Sequence, residues 1–423
     1  MRRVVIPILL LVAAVTVAAA LWTLRPYPAA DPEEAAPASP STASTPSTPS
    51  TDPADTGGDW PGYHGGPELR GAADAAFPDA LAVKWRVKAG APVRQTPVVK
   101  DGRIFAVTAR GDVLAVAADG TELWRAELRL PAEGNPEPLH MRIEAPPVAV
   151  KDLLVVGTDE GILLALDAAT GAERWRLPLS GGVIRGAPNY LPTLDRLFVI
   201  EQSAGALLCV NPADGAVVWR VEGVDRSDAA PSVSEQFVVY GSCAGALHVF
   251  SPEKGEKLRD IKIEGDGQVA GGAAMEGPLV WAGARGGMVV HANLETGEIL
   301  WVNEDMESEV FGTPAVAADR VVAVSNDGFL YALDRAAGTL LWKHDTLGFP
   351  LSPVIAGDRV LCAADGTLLL VALADGKVLW SQELSDEITS PAVTRGGIYL
   401  GTEDGALVAL GPAPAAEGTV NAP

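Results

Sequence analysis

The chain has 423 residues, 48% hydrophobic and 20% charged, and its 54 acidic against 32 basic side chains leave a formal net charge of -22 at pH 7. That is too apolar for a wholly disordered chain, and so acidic a protein would repel DNA or RNA before docking, which excludes a general nucleic-acid binder. The 45 glycines and 33 prolines favour many turns over long helices.

Between Arg3 and Arg25 the 21 residues VVIPILLLVAAVTVAAALWTL carry no charge. As a helix they would span about 32 Å, enough for a bilayer core. Residues 1–25 therefore read as a transmembrane anchor or signal segment. Arg2 and Arg3 hold the N-terminus in the cytoplasm, which places everything downstream beyond the inner membrane, in the periplasm or on the exterior. The run exceeds a usual signal-peptide core and so favours an uncleaved anchor; cleavage near Ala18-Ala19-Ala20 would give a secreted protein. No cysteine follows the run, so a lipid anchor is not expected. Residues 26–58 mix Pro, Ala, Ser and Thr without apolar periodicity and read as a disordered tether. Residues 59–80 lead into a repeat over 81–412, and 413–423 read as a disordered tail.

The repeat shows in its tryptophans. Trp85, Trp124, Trp175, Trp219, Trp301, Trp342 and Trp380 recur at intervals of 39, 51, 44, 82, 41 and 38 residues. The doubled interval hides a lost tryptophan: aligning EKGEKLRD with PADGAVVWR puts Arg259 in the missing slot and makes eight positions. A proline opens each unit at 97, 147, 188, 231, 314, 353 and 391, with Ala273 at the fifth place, again making eight.

Within a unit, short alternating β-branched runs are split by turns, as in PAVT, RGG, IYLGT, Asp404-Gly405 and ALVALG. The last unit has three strands and no tryptophan, whereas the strand around Trp85 has no three strands before it. The two fragments complete each other. The predicted fold is all-β, an eight-bladed β-propeller of four-stranded antiparallel blades closed by the N-terminal strand around Trp85. The tryptophans are assigned to packing between blades, with Arg259 reaching solvent or an acidic partner.

ALDAATGAERW (165–175) and ALDRAAGTLLW (332–342), with the weaker copies CVNPADGAVVW, HANLETGEILW and VALADGKVLW, resemble the tryptophan-docking motif of the pyrroloquinoline quinone-like propeller family. Its members include quinoprotein dehydrogenases and the propeller subunit of the outer-membrane barrel-assembly machinery. The resemblance spans about residues 81–411 and speaks to fold more than to activity. DWPGYHGGPELRGAA (59–73) resembles the segment preceding the first blade in many secreted members, and Trp60 is expected to pack on the propeller.

In the dehydrogenases of that family the resemblance implies a quinone on the axis against a vicinal disulfide, with calcium held by Glu, Asn and Asp. Here Cys209, Cys243 and Cys362 are nowhere adjacent, so a vicinal bridge is impossible, and small buried residues are the expected role. Asp167, Asp334, Asp327, Asp365 and Asp404 stand in turns, where a carboxylate caps backbone N–H groups. His64, His140, His248, His291 and His344 show no metal-binding spacing, and no nucleophile elbow, phosphate loop or calcium loop appears. No catalytic residue, metal or cofactor is expected.

The one candidate site follows from the propeller geometry, since the innermost strands line the axis. Three places before the markers stand Arg94, Glu144, Arg185, Asp228, Ala270, Phe311, Pro350 and Ile388. Four alternate in charge and four are apolar. They make either a lopsided axial pocket for an amphipathic ligand or a partner's loop, or a ladder of ion pairs beside a plug of side chains. The long insertions 127–144 and 188–196 are the other candidate recognition surface. The preferred function is a non-catalytic, membrane-tethered scaffold for protein partners in the cell envelope. The alternative is a quinoprotein oxidoreductase using pyrroloquinoline quinone and calcium; nothing argues specifically for a sugar or peptide sensor.

Overall fold

The computed structural model describes residues 58–130, 138–180 and 182–414. The expected anchor, all but the last residue of the tether, and residues 415–423 of the tail lie outside them. Among the described residues no helix is long and apolar enough to cross a membrane.

Eight four-stranded antiparallel sheets follow one another along the chain, seven with these strands in sequence order and the last completed by an N-terminal strand. We number them blades 1 to 8: residues 98–127, 148–178, 189–221, 232–262, 273–303, 315–345, 354–383, and 392–412 joined by 81–88. In blade 8, Leu81–Lys88 pairs with Ala406–Pro412, Trp85 standing opposite Ala409. First and last strands thus share a sheet, and the ring closes as expected.

The outermost pair in every blade carries a register shift beside the tryptophan slot, with Ala115 opposite Trp124, Ala165 opposite Trp175, Cys209 opposite Trp219 and Ala332 opposite Trp342. In blade 4 the same shift falls beside Val249 and Arg259, which confirms the alignment that put arginine there. The facing residue need not be small, since His291 stands opposite Trp301 and Leu370 opposite Trp380; past the shift the indole leans onto the next blade. There it meets a glycine with positive φ: Gly171 under Trp124, Gly215 under Trp175, Gly338 under Trp301 and Gly376 under Trp342, where a Cβ would come within 2.5–2.6 Å of the indole. The indole Nε1 donates to the same turn, from Trp175 to the Pro212 carbonyl at 2.8 Å and from Trp301 to that of Arg335 at 3.0 Å. Arg259 lies over Gly297 and is half-exposed, with its Nε alone buried without a partner.

Strand alternation holds only at the rim of the ring. In blade 2 the outer strand Glu173–Pro178 alternates, but Leu153–Gly157 is buried at every position. The physical reason is that neighbouring blades cover both faces of an inner strand, so it reads as a continuous apolar run.

Candidate functional site

Residues 60–74 wind once around one end of the axis and touch the blades in order. Trp60 exchanges backbone hydrogen bonds with Val99 of blade 1 at 2.8 Å. The carbonyl of Pro61 then accepts from Ala149 of blade 2, Pro67 from Val233 of blade 4, Glu68 from Met275 of blade 5, Arg70 from Val316 of blade 6 and Gly71 from Ile355 of blade 7. At blade 3 the Asn189 side chain reaches the Pro67 carbonyl at 2.8 Å. Ala72–Ala73 runs parallel to Val354–Ala356, and Asp74 pairs with Arg395 of blade 8. The donors Val99, Ala149, Val233, Met275, Val316 and Ile355 hold one place in the repeat, two residues after the marker. Innermost strands have no neighbour on the axial side, and this strap satisfies donors that would otherwise be left unpaired.

The strap is locked by side chains. Trp60 is 2% exposed, as expected of a packing residue. The ring nitrogens of His64 lie 2.7 Å from the Leu69 carbonyl and 2.9 Å from that of Pro353. Burial pushes this imidazole below its ordinary value, against the pull of those two carbonyls. The Tyr63 hydroxyl meets Ser352 at 2.8 Å and Thr313 at 3.1 Å.

Five residues earlier, in the loops that lead into the innermost strands, the axis is open. A cup of about 410 Å³ enters from that mouth, with Tyr63 of the strap among its lining. Of the eight sequence-derived positions, Arg94, Arg185, Asp228, Ala270, Phe311 and Pro350 line it. Glu144 and Ile388 do not: Ile388 is buried, bridging Thr402, and Pro146 and Thr389 take their places on the wall. The start of an innermost strand follows loops of different lengths, so a fixed offset from the proline does not fix which side chain faces inward.

The charges do not pair with one another around the ring. Arg94 makes a bidentate pair with Glu403, at 2.7 and 2.8 Å, in the turn of blade 8. That hydrogen bonding raises the Arg94 pKa and holds Glu403 low. Arg185 reaches Asp159 in blade 2 at 3.4 Å, and Asp228 takes Arg226 of its own loop at 3.1 Å. Arg94, Arg185 and Asp228 are thus satisfied by a neighbouring turn or by their own loop, and these partners were not visible as a sequence pattern. The two insertions open at opposite ends. Arg129–Leu130 and Leu139–His140 form a small hairpin on the mouth side, with 131–137 outside the described residues, whereas 192–195 joins two strands on the strap side.

Cys209 and Cys362 are buried, their thiols pushed up to about 12 by burial, while Cys243 is half-exposed. In blade 4 Ser242, His248 and Asp260 are linked at 2.8 and 2.7 Å, the order of a nucleophile, base and acid. Ser242 and His248 are fully buried, and the serine oxygen accepts the Ala244 N–H as a turn cap, as Thr108 and Thr402 do in blades 1 and 8. Substrate has no path to that hydroxyl. Among the described residues no three His, Cys, Asp or Glu side chains converge to hold a metal ion.

A family model described as outer membrane protein assembly factor BamB matches residues 81–187, 208–355 and 331–418. The protein of that name from Burkholderia pseudomallei is 26% identical over 302 residues, covering 67% of this chain and 74% of its own length. That from Yersinia pestis is 24% identical over 322 residues, covering 74% and 72%. Among solved structures, BamB from Moraxella catarrhalis is similar with a TM-score of 0.65 at 20% identity, over 78% of this chain and 100% of that one. Quinohemoprotein alcohol dehydrogenase from Comamonas testosteroni scores 0.66 at 13% identity, over 85% and 82%, a likeness of fold alone.

Proposed function

The chain belongs to the outer membrane protein assembly factor BamB family, and on that premise we propose that it is a non-catalytic scaffold that holds protein partners in the cell envelope. The apolar run 4–24 would tether it to the inner membrane, and the propeller would work in the periplasm or on the exterior. The observation that carries the reading is the asymmetry of the axis: the strap fills one end, and the other opens into a cup ringed by Arg94, Arg185, Asp228 and Phe311. A partner's loop enters there. The loops that present the ring are held by the ion pairs of Arg94, Arg185 and Asp228, which keeps the ordering cost of binding low.

No cofactor is assigned to the axis. A quinone site of the dehydrogenase kind needs a vicinal cysteine pair, and Cys209, Cys243 and Cys362 stand in three different blades. The donor set does not fit the group.

The test is Arg94→Ala with Arg185→Ala. Both arginines are about half exposed, at 49% and 45%, and the buried Asp159 carboxylate keeps Arg142 at 3.2 Å when Arg185 is removed, so the loss of stability should be small. Cross-linked capture of envelope partners should fall while the unfolding midpoint stays in place; loss of stability with unchanged capture would defeat the reading. Added quinone and calcium should give no saturable absorbance change or dye-coupled alcohol oxidation.

A further inference from the structure

The ion pairs of blades 1 to 4 account for one half of the mouth. The other half carries something that stability does not explain. In the loop from blade 6 to blade 7, Leu347 is 89% exposed, Phe349 66% and Leu351 41%, and Phe349 and Leu351 continue into the cup beside Phe311. Leu347 also sits at φ +61, a left-handed backbone that Asn and Gly adopt more readily than Leu. A leucine that gains nothing from burial and sits in an unfavourable conformation is not there to hold the fold.

Nor is the loop loose. The Thr346 hydroxyl donates to the Gly328 carbonyl at 2.7 Å, and the Leu347 N–H donates to Asp345 at 2.9 Å. The Phe349 N–H donates to Asp365 at 3.2 Å, the Asp365 N–H returns to the Phe349 carbonyl, and the Leu351 N–H reaches the Ala363 carbonyl at 2.8 Å. Both ends of the knuckle are pinned, so its apolar side chains are held out rigidly, as the anchors of a binding surface are.

Charge says what meets it. The mouth loops 303–313, 345–352 and 384–389 and the adjoining turns 325–328, 364–366 and 402–405 contain no lysine or arginine. They carry exposed carboxylates at Glu304, Glu307, Asp345, Asp365, Asp386 and Glu387, which outnumber the cations that reach in from outside these segments, Lys343 at 4.0 Å from Glu307 and Arg86 and Arg94 on Asp404 and Glu403. Arg285, over the Phe311 ring at 5.0 Å, marks the boundary with the mixed-charge half. An anionic lipid surface or an acidic peptide would be repelled from this crescent, whereas a segment with positive charges flanking a bulky apolar residue would be drawn in and anchored.

We propose that the blade 6 to 8 half of the mouth is a docking surface for a cationic polypeptide segment whose apolar side chain seats on Leu347, Phe349 and Leu351. This rests on the reading that the open mouth meets protein, and it assigns the chemistry of the partner.

The probe is a fluorescent 12-residue peptide of alternating lysine and leucine, titrated into the full chain in detergent and read by anisotropy. Two control peptides have glutamate for lysine or serine for leucine. The lysine–leucine peptide should bind, weaken several-fold between 50 and 300 mM salt, and exceed both controls at least tenfold. Leu347→Asn with Phe349→Ser should lower its affinity at least tenfold, and Leu347→Asn alone should lower it without reducing the unfolding midpoint. Arg94→Ala with Arg185→Ala bares Glu403 at the edge of the crescent and should not lower peptide affinity, so this surface and the axial partner site fail separately. Equal binding of the glutamate or serine peptide, or affinity indifferent to the Leu347 and Phe349 changes, would overturn the proposal. So would a concentration-dependent dimer of the chain that the same two changes abolish.

Discussion

Arg259→Trp should make the protein more stable, and the reasoning can be followed atom by atom. Six tryptophans make the same two contacts, a face on a positive-φ glycine of the next blade and an Nε1 donated to the carbonyl of that turn. Blade 5 offers the same seat at Gly297, with φ +80 and the Arg259 Cδ and Nη1 above it, each 3.4 Å from where a Cβ would stand. An indole there would cover about 100 Å² more apolar surface than the arginine stem, about 2.5 kcal/mol at 25 cal/mol/Å². Removing the unpartnered buried Nε of Arg259 relieves about 1 kcal/mol more, and ordering the new side chain takes back a similar amount. The net expectation is a gain of about 2 kcal/mol in urea unfolding. Trp175→Ala is the reference in the opposite direction: this indole is 9% exposed, and its loss should cost about 3–5 kcal/mol. If Trp175→Ala costs the expected amount while Arg259→Trp gains nothing or destabilises, blade 5 has no seat for an indole. If Trp175→Ala costs less than about 1 kcal/mol, docked tryptophans do not hold the blades together at all.

Gly71 has φ +59, and a Cβ there would sit 2.3 Å from the His64 ring, so Gly71→Ala should cost more than about 2 kcal/mol and expose the strap-bound amides of Val99, Ala149, Val233, Met275, Val316 and Ile355 to hydrogen exchange. Burial holds His64 and His291 below their ordinary 6.5, so the unfolded chain takes up these protons at higher pH than the folded one. Their contribution is therefore complete above pH 6.5 and lost as pH falls through the folded values; unfolding midpoints measured from pH 8 to 5 should decline less steeply in His64→Gln. Maleimide should label Cys243 in the native protein, while Cys209 and Cys362 should react only after denaturation, as mass spectrometry of the labelled peptides will read.

The blades were legible because their signals are side chains at repeating positions: a tryptophan needs a glycine on the next blade, a turn needs Asp-Gly, and eight in-phase copies leave no other closed arrangement. Arg259 was found by the same phase, and its place opposite Val249 bears it out. The strap was legible only as Trp60, because its work is done by the carbonyls of Pro61, Pro67, Glu68, Arg70 and Gly71, and a carbonyl is the same on every residue. The mouth was half legible for a related reason. Repeat phase predicted that Arg94, Arg185, Asp228 and Phe311 face the axis, but the Glu403 that binds Arg94 lies 309 residues away and is placed by ring closure alone. Leu347 and Phe349 are ordinary loop residues in sequence, and only their exposure beside carboxylates from blades 6 to 8 sets them apart. The two halves of the mouth therefore differ in kind. One ties Arg94, Arg185 and Asp228 into ion pairs within the chain, and the other holds exposed apolar anchors amid an excess of carboxylates of which Glu307 alone has a lysine beside it in these blades, Lys343, so partner selectivity should reside in that half.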